Sequence, residues 1–346
     1  MTKLTERENL LRVYNGEIPD WVPIAERVNQ GCFGPPFLTD WAGKKNEFGI
    51  RDKKAGEHVF DRFGVEHEIV DPRIGAMPAP GIVKVSDIRK WREEYPLSTW
   101  PDLDSLDWLT MARTDTAVWD RENKYQKVSF GGSGSGSAFV WAATILGHTS
   151  AMMAMLTEEE AWHDLVNEFT LFQEKLISYV GQYYKPDSIM MCDDVAYNPG
   201  TFMSPDTYRE CIKPYHKRMM DAIAKAGCTP EVHCCGKVDA IIDDFVEIGV
   251  RSWDPAQYFN DMEGIKERHG NKLIMHGGWD SNGPASNKGA SEEEVRAAVR
   301  SSIDRGAPGG GYVFTTSGMT LEYYVGKDHY GWIYDEAEKY GASFYK

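Results

Sequence analysis

Ser188-Ile189-Met190-Met191-Cys192-Asp193-Asp194 is a short apolar run that ends in two acids. It lacks the polar alternation of a half-exposed strand, so it reads as a strand buried on both faces, with its polar groups gathered at the C-terminal end. Upstream, Ala161, Leu165, Phe169, Phe172, Leu176 and Val180 recur at helical spacing, and Thr157-x-x-Glu160 has the form of a capping box opening that helix. Downstream, Ser204 as N-cap and Pro205 at the first helical position begin a helix striped by Tyr208, Ile212, Tyr215, Met219 and Ile223 and closed at Gly227. A second strand then ends at His233.

The alternation continues with a helix near Val238 to Glu247, a strand near Val250 to Trp253, a helix near Asp261 to His269, and a strand over Lys272 to His276. A Ser291-x-x-Glu294 capping box starts the next helix, Gly306 stops it, and Tyr312-Val313-Phe314 is the last strand. Adding weaker strands near Val22 to Ile24, His67 to Val70 and Lys127 to Phe130 gives about eight strands. The expected fold is therefore α/β: a (β/α)8 barrel with an N-terminal extension and long strand-to-helix loops, one domain over residues 1–346.

The formal net charge of −15 is spread along the chain, which disfavours nucleic acid and anionic membrane as partners. No signal-peptide pattern or long apolar run is present, so the expected setting is cytoplasmic, with the six cysteines reduced. The Gly131-Gly132-Ser133-Gly134-Ser135-Gly136-Ser137 run reads as a mobile strand-to-helix loop. It lacks the lysine of a P-loop and the third glycine of a dinucleotide fingerprint.

In a barrel of this type the chemistry sits where strands end. Asp193, Asp194, His233, Cys235, Asp254, Gln257, His276 and Asp280 collect there, although Asp254 beside Pro255 and Asp280 before Ser281-Asn282-Gly283 also suit turns. In His233-Cys234-Cys235-Gly236, positions 233 and 235 share one face of an extended chain, so an imidazole and a thiol can meet one metal ion while Cys234 faces elsewhere. A buried strand carrying a satisfied histidine and small sulfur residues is the plainer alternative.

With these residues in view the chain resembles the uroporphyrinogen decarboxylase superfamily, and within it the corrinoid-protein methyltransferases. The likeness runs from Gly16-Glu17-Ile18-Pro19-Asp20-Trp21-Val22-Pro23 to about Phe314. It is carried by Asp193-Asp194 with Ser204-Pro205, His233-x-Cys235-Gly236, Gly249 through Pro255-Ala256-Gln257, and Gly277-Gly278-Trp279-Asp280. The resemblance implies a (β/α)8 barrel and a zinc ion held by His233 and Cys235 plus a later ligand. That ligand is open here. No cysteine follows Cys235, and the last strand leads into Thr315-Thr316-Ser317-Gly318-Met319, which leaves His276, Asp194, Asp193 or an unplaced residue.

The expected function is transfer of a methyl group from a small, O-methylated and plausibly aromatic donor to the cobalt of a corrinoid carried by a separate protein. The chain has no D-x-H-x-x-G segment for a corrinoid of its own, and Asp328-His329-Tyr330-Gly331 has the wrong spacing. Asp194 and Asp193 are the expected catalytic acids, with Asp194 donating to the leaving oxygen beside a Lewis-acid zinc. Tyr197, Trp253, Gln257, Tyr258, His276, Trp279 and Asp280 are expected to contact substrate. The same metal could instead activate a thiol acceptor, so direction is open. The rival readings are a uroporphyrinogen decarboxylase-like carboxy-lyase and a non-catalytic binding barrel. Against the first, Arg27-Val28-Asn29-Gln30-Gly31-Cys32-Phe33 offers one arginine where the decarboxylase uses several.

Overall fold

A computed structural model describes residues 4–33, 54–61, 63–71, 75–130, 136–316 and 327–346. Its centre is a parallel sheet of seven strands hydrogen-bonded in sequence order: β1 (Asn29–Phe33), β2 (Tyr125–Phe130), β3 (Ser188–Cys192), β4 (Thr229–His233), β5 (Ser252–Ala256), β6 (Ile274–Gly278) and β7 (Tyr312–Thr315). The sheet curls until Ile24, just before β1, bridges in parallel to Phe314 of β7, and the Phe314 N–H donates to the Pro23 carbonyl at 2.9 Å. Helices follow the strands and cover the outside, giving an α/β barrel.

Parity sorts each strand into two faces. Val128, Ile189, Met191, Val232, Trp253, Met275 and Phe314 belong to the large apolar core shared with the helices. Tyr125, Ile274 and Val313 belong to a smaller cluster with Leu10 and Val13 of the first helix, Glu6–Tyr14. That helix starts at a complete capping box, Thr5 with Glu8, and is the N-terminal extension.

Several expectations need correction. The segment expected as a barrel strand at His67 to Val70 is the middle strand, Glu66–Asp71, of a separate three-stranded antiparallel sheet. His67 and Ile69 are buried while Glu66 and Glu68 are not, the alternation of a sheet with one covered face. Val22 to Ile24 contributes a single bridge rather than a strand. Thr157 ends a helix, His148–Thr157, with its hydroxyl donating back to the Met153 carbonyl, and so does not cap the next, Glu159–Tyr183. The helix opened by Ser204 and Pro205 breaks at Ile212, because Pro214 starts a new one over Lys213–Lys225. The Ser291 box forms as expected. Residues 131–135 and 317–319 of the two loops noted above lie outside the described residues. Among the described residues no single helix is long and apolar enough to cross a membrane.

Candidate metal centre

β4 ends at His233, and its Cα lies opposite Cys192 of β3 on one side and Asp254 of β5 on the other. Just beyond the strand ends, Asp194, His233 and Cys235 bring one ligand atom each to within 4.8 Å of one another. The His233 Nε2 is 3.4 Å from the Cys235 Sγ and 3.8 Å from the Asp194 Oδ1. A tetrahedral zinc with bonds of about 2.0–2.3 Å has donor-to-donor edges of about 3.3–3.8 Å. The thiol, imidazole and carboxylate are a donor set that suits zinc, the two edges at His233 are close to those of such a tetrahedron, and of the candidates for a third ligand Asp194 is the one that lies in this cluster. Cys234 is fully buried on the other face, as alternation requires.

The loop holding Cys235 is fixed from both sides. The Cys235 N–H donates to Asp194 Oδ1 at 2.7 Å, and the Gly236 N–H to Gln257 Oε1 at 2.6 Å. Asn260 donates to the Gly236 carbonyl at 3.1 Å and accepts from the Val238 N–H at 2.9 Å. Gly236 has φ +97°, and a Cβ there would stand 2.4 Å from the Tyr197 nitrogen, so only glycine lets the two loops touch.

Behind this cluster the barrel interior carries an ion chain. Lys127 of β2 reaches across to Glu231 of β4 at 2.6 Å and Asp254 of β5 at 3.6 Å, and the Tyr14 hydroxyl donates to the other Glu231 oxygen at 2.5 Å. Burial pushes the Lys127 ammonium down, but Glu231 and Asp254 outweigh it and leave the pKa raised. Burial likewise pushes Asp254 up, yet Lys127, with His276 and His233, holds it below the usual carboxylate range. His276 on β6 is fully buried, and among the described residues neither ring nitrogen has a hydrogen-bond partner. Burial first, then Lys127, lowers its pKa to about 4. Burial, Asp194 and Asp254 all raise the Cys235 thiol.

The remaining expected site residues scatter. Asp193 points away from Asp194: its oxygens accept from the Phe139 and Val140 N–H groups at 3.0 and 2.7 Å, and His216 lies 2.7 Å away. It anchors the start of the helix Ala138–Leu146 and does not join the metal cluster. Trp253 is fully buried in the outer core, its indole N–H on the Cys234 carbonyl at 3.1 Å. Gln257 is engaged with Gly236. Trp279 is buried and donates to Ser286 Oγ at 2.9 Å, while Asp280 closes a turn by accepting from the Asn282 N–H at 3.1 Å. Tyr258 is half-exposed beneath the Arg305 guanidinium, 5.2 Å from its ring, and half-exposed Tyr197 stacks on Phe202 at 5.0 Å.

Sequence reading missed Lys127 and Glu231. The available signal was parity: Glu231 is two residues before His233 and shares its face, and Lys127 is a lone charge inside an apolar strand. Asp254, expected in a turn, lies inside β5 because that strand runs three residues further than expected, Ser252–Ala256.

No curated protein matches the chain. Among solved structures, a methyltransferase from Methanosarcina mazei aligns over 98% of this chain and 99% of its own, with TM-score 0.62 and 14% sequence identity, a likeness of fold. The family model of uroporphyrinogen decarboxylase (URO-D) matches residues 61–321, which takes in the three clustered ligands and the interior ion chain except Tyr14. The chain belongs to the uroporphyrinogen decarboxylase family.

Proposed function

We propose that this protein, acting as one barrel domain, is a methyltransferase that removes a methyl group from a small O-methylated donor and passes it to the cobalt of a corrinoid on a separate protein. The observation that carries this reading is the convergence of Asp194, His233 and Cys235. A plain decarboxylation has no need of a thiol-containing metal site, whereas a methyl ether has a poor leaving group. The structural likeness to a methyltransferase over nearly the whole of both chains supports the same choice. Arg27 adds nothing for a polycarboxylate substrate, since its guanidinium is paired with Glu338 at 2.5 Å.

Asp194, His233 and Cys235 would hold a zinc ion, which would supply Lewis acidity toward the ether oxygen. Asp194 serves this site as a ligand, with its Oδ1 accepting from the Cys235 N–H. Cys235 would give up its proton to solvent on binding metal, because the thiolate is the ligand form. Gln257 and Asn260 hold the loop on which the thiol sits. The Lys127 ammonium keeps Asp254 ionised beside the cluster.

The test is a donor screen with the zinc-loaded chain and a reduced corrinoid protein, read by methylcobalamin absorbance. Methylcobalamin that depends on both proteins supports the reading. Release of carbon dioxide from a porphyrinogen without corrinoid would establish the decarboxylase instead.

A further inference from the structure

The ends of β3 and β4 carry matching pairs of metal-binding side chains. β3 ends in Cys192-x-Asp194 and β4 in His233-x-Cys235, and the parallel register sets the Cα of Cys192 opposite that of His233. Two residues further out, the Cys235 N–H bond to the Asp194 carboxylate sets that pair side by side as well. Three corners of this four-cornered patch are the clustered ligands. The fourth is Cys192.

The surroundings of Cys192 suit a ligand better than a core thiol. Ile189 and Met191 lie in the outer core, so by parity Cys192 belongs to the face that looks into the barrel. Burial first, then Asp194, pushes its thiol up, and Lys127, Asp254 and Cys235 also act on it, so the charges it feels are those of the interior and of the cluster itself. Cys192 is only half-buried, and its thiol donates to no acceptor among the described residues. The other cysteines with described side chains are engaged: Cys211, Cys228 and Cys234 face the carbonyls of Met155, Pro186 and Cys235 at 3.6, 3.5 and 3.5 Å, and Cys235 faces His233. The Cys192 sulfur is not among the three atoms that already lie within 4.8 Å of one another, and a change of χ1 rotamer is the adjustment it needs. Asp254, opposite His233 on its other side, is the competing corner, but Lys127 already holds that carboxylate.

Tetrahedral zinc takes four ligands, and the clustered residues supply three. We infer that Cys192 is the fourth, closing the metal site while no donor oxygen is bound. This deepens the metal centre of the proposed methyltransferase and rests on it. The Cys192 proton would pass to solvent on binding, as that of Cys235 does.

The experiment is X-ray absorption at the zinc edge on the zinc-loaded full chain, which counts sulfur neighbours at about 2.3 Å. The unaltered protein should show two. Cys192→Ser and Cys235→Ser should each show one, whereas Cys32→Ser and Cys234→Ser should keep two. One sulfur in the unaltered protein would overturn the inference and leave the three-ligand centre standing. Two sulfurs surviving in Cys192→Ser would also overturn it, by giving the second thiolate to another cysteine. Should Cys192→Ser not fold, the other proteins decide: two sulfurs in the unaltered protein, in Cys32→Ser and in Cys234→Ser assign the second to Cys192, because Cys211 and Cys228 lie in the outer core. Failure of the unaltered chain to bind zinc would overturn the metal centre and this ligand together. The count needs neither donor nor corrinoid, so two sulfurs beside a failed donor screen would sink the transfer reading alone.

Discussion

The backbone N–H of Cys235 donates to the carboxylate of Asp194 across 2.7 Å, tying the end of β4 to the end of β3 before any metal is bound. That bond places the carboxylate oxygen and the thiol on the same side of His233. Two of the three ligands are thus set by the backbone and need little rearrangement. The zinc affinity of Asp194→Ala, His233→Ala and Cys235→Ala should each fall by more than about a hundredfold, and Cys234→Ala should change little, measured by competition with a chromogenic chelator. Equal losses at 234 and 235 would sink the assignment. Because burial, Asp194 and Asp254 hold the Cys235 thiol protonated, binding should release a proton and tighten as pH rises.

Asp193 should behave quite differently from its neighbour. Its carboxylate serves two backbone N–H groups and the buried His216, so Asp193→Ala leaves three buried donors or charges without a partner. A loss of about 3–5 kcal/mol is expected from chemical denaturation, with zinc stoichiometry intact in the folded fraction. Loss of zinc without loss of stability would show that Asp193, contrary to its geometry, belongs to the metal centre.

His276 gives the fold a pH signature. Its folded pKa of about 4 lies below the ordinary histidine value of 6.5, so between these limits the unfolded chain binds the proton more readily. The contribution to stability is complete above pH about 6.5, is lost progressively as pH falls, and has cost about 3 kcal/mol by pH about 4. Denaturation midpoints measured across that window should slope less in His276→Gln than in the unaltered protein. Parallel slopes would place the titration on another group.

Lys127→Met removes the cation that Glu231 and Asp254 share and should destabilise the barrel by about 3–5 kcal/mol near neutral pH. The deficit should shrink as pH falls and the stranded carboxylates take up protons, and Glu231→Gln in the same chain should recover part of it. A double-mutant cycle in thermal denaturation measures the coupling, and strictly additive losses would contradict a shared network.

How far the sequence could be read depends on whether a signal is local. Ser204 with Pro205, and Ser291 with Glu294, announce helix starts within four residues, and both helices begin there. Parity over three residues was enough to put His233 and Cys235 together and Cys234 apart. Asp193 and Asp194 defeat the same argument, since adjacent residues past a strand end can turn either way, and only the packed helix Ala138–Leu146 shows which one serves backbone N–H groups. Trp253 and Trp279 were expected at the mouth because tryptophan suits a pocket, but each indole N–H found a partner within the core. The ion chain joins residues from four distant segments, and no local pattern announces it.

Tyr14 and its partner Glu231 are 217 residues apart, and Ile24 waits even longer for Phe314. The ribosome therefore delivers the first helix, with Leu10 and Val13 on its apolar face, well before the strands that will bury that face exist. Until β7 emerges this segment has no permanent place, because Val313 completes the cluster around it and Phe314 closes the seam. The growing chain thus carries an open sheet edge and an unsheltered helix until β7 emerges, a vulnerability of the nascent chain that the closed molecule does not reveal.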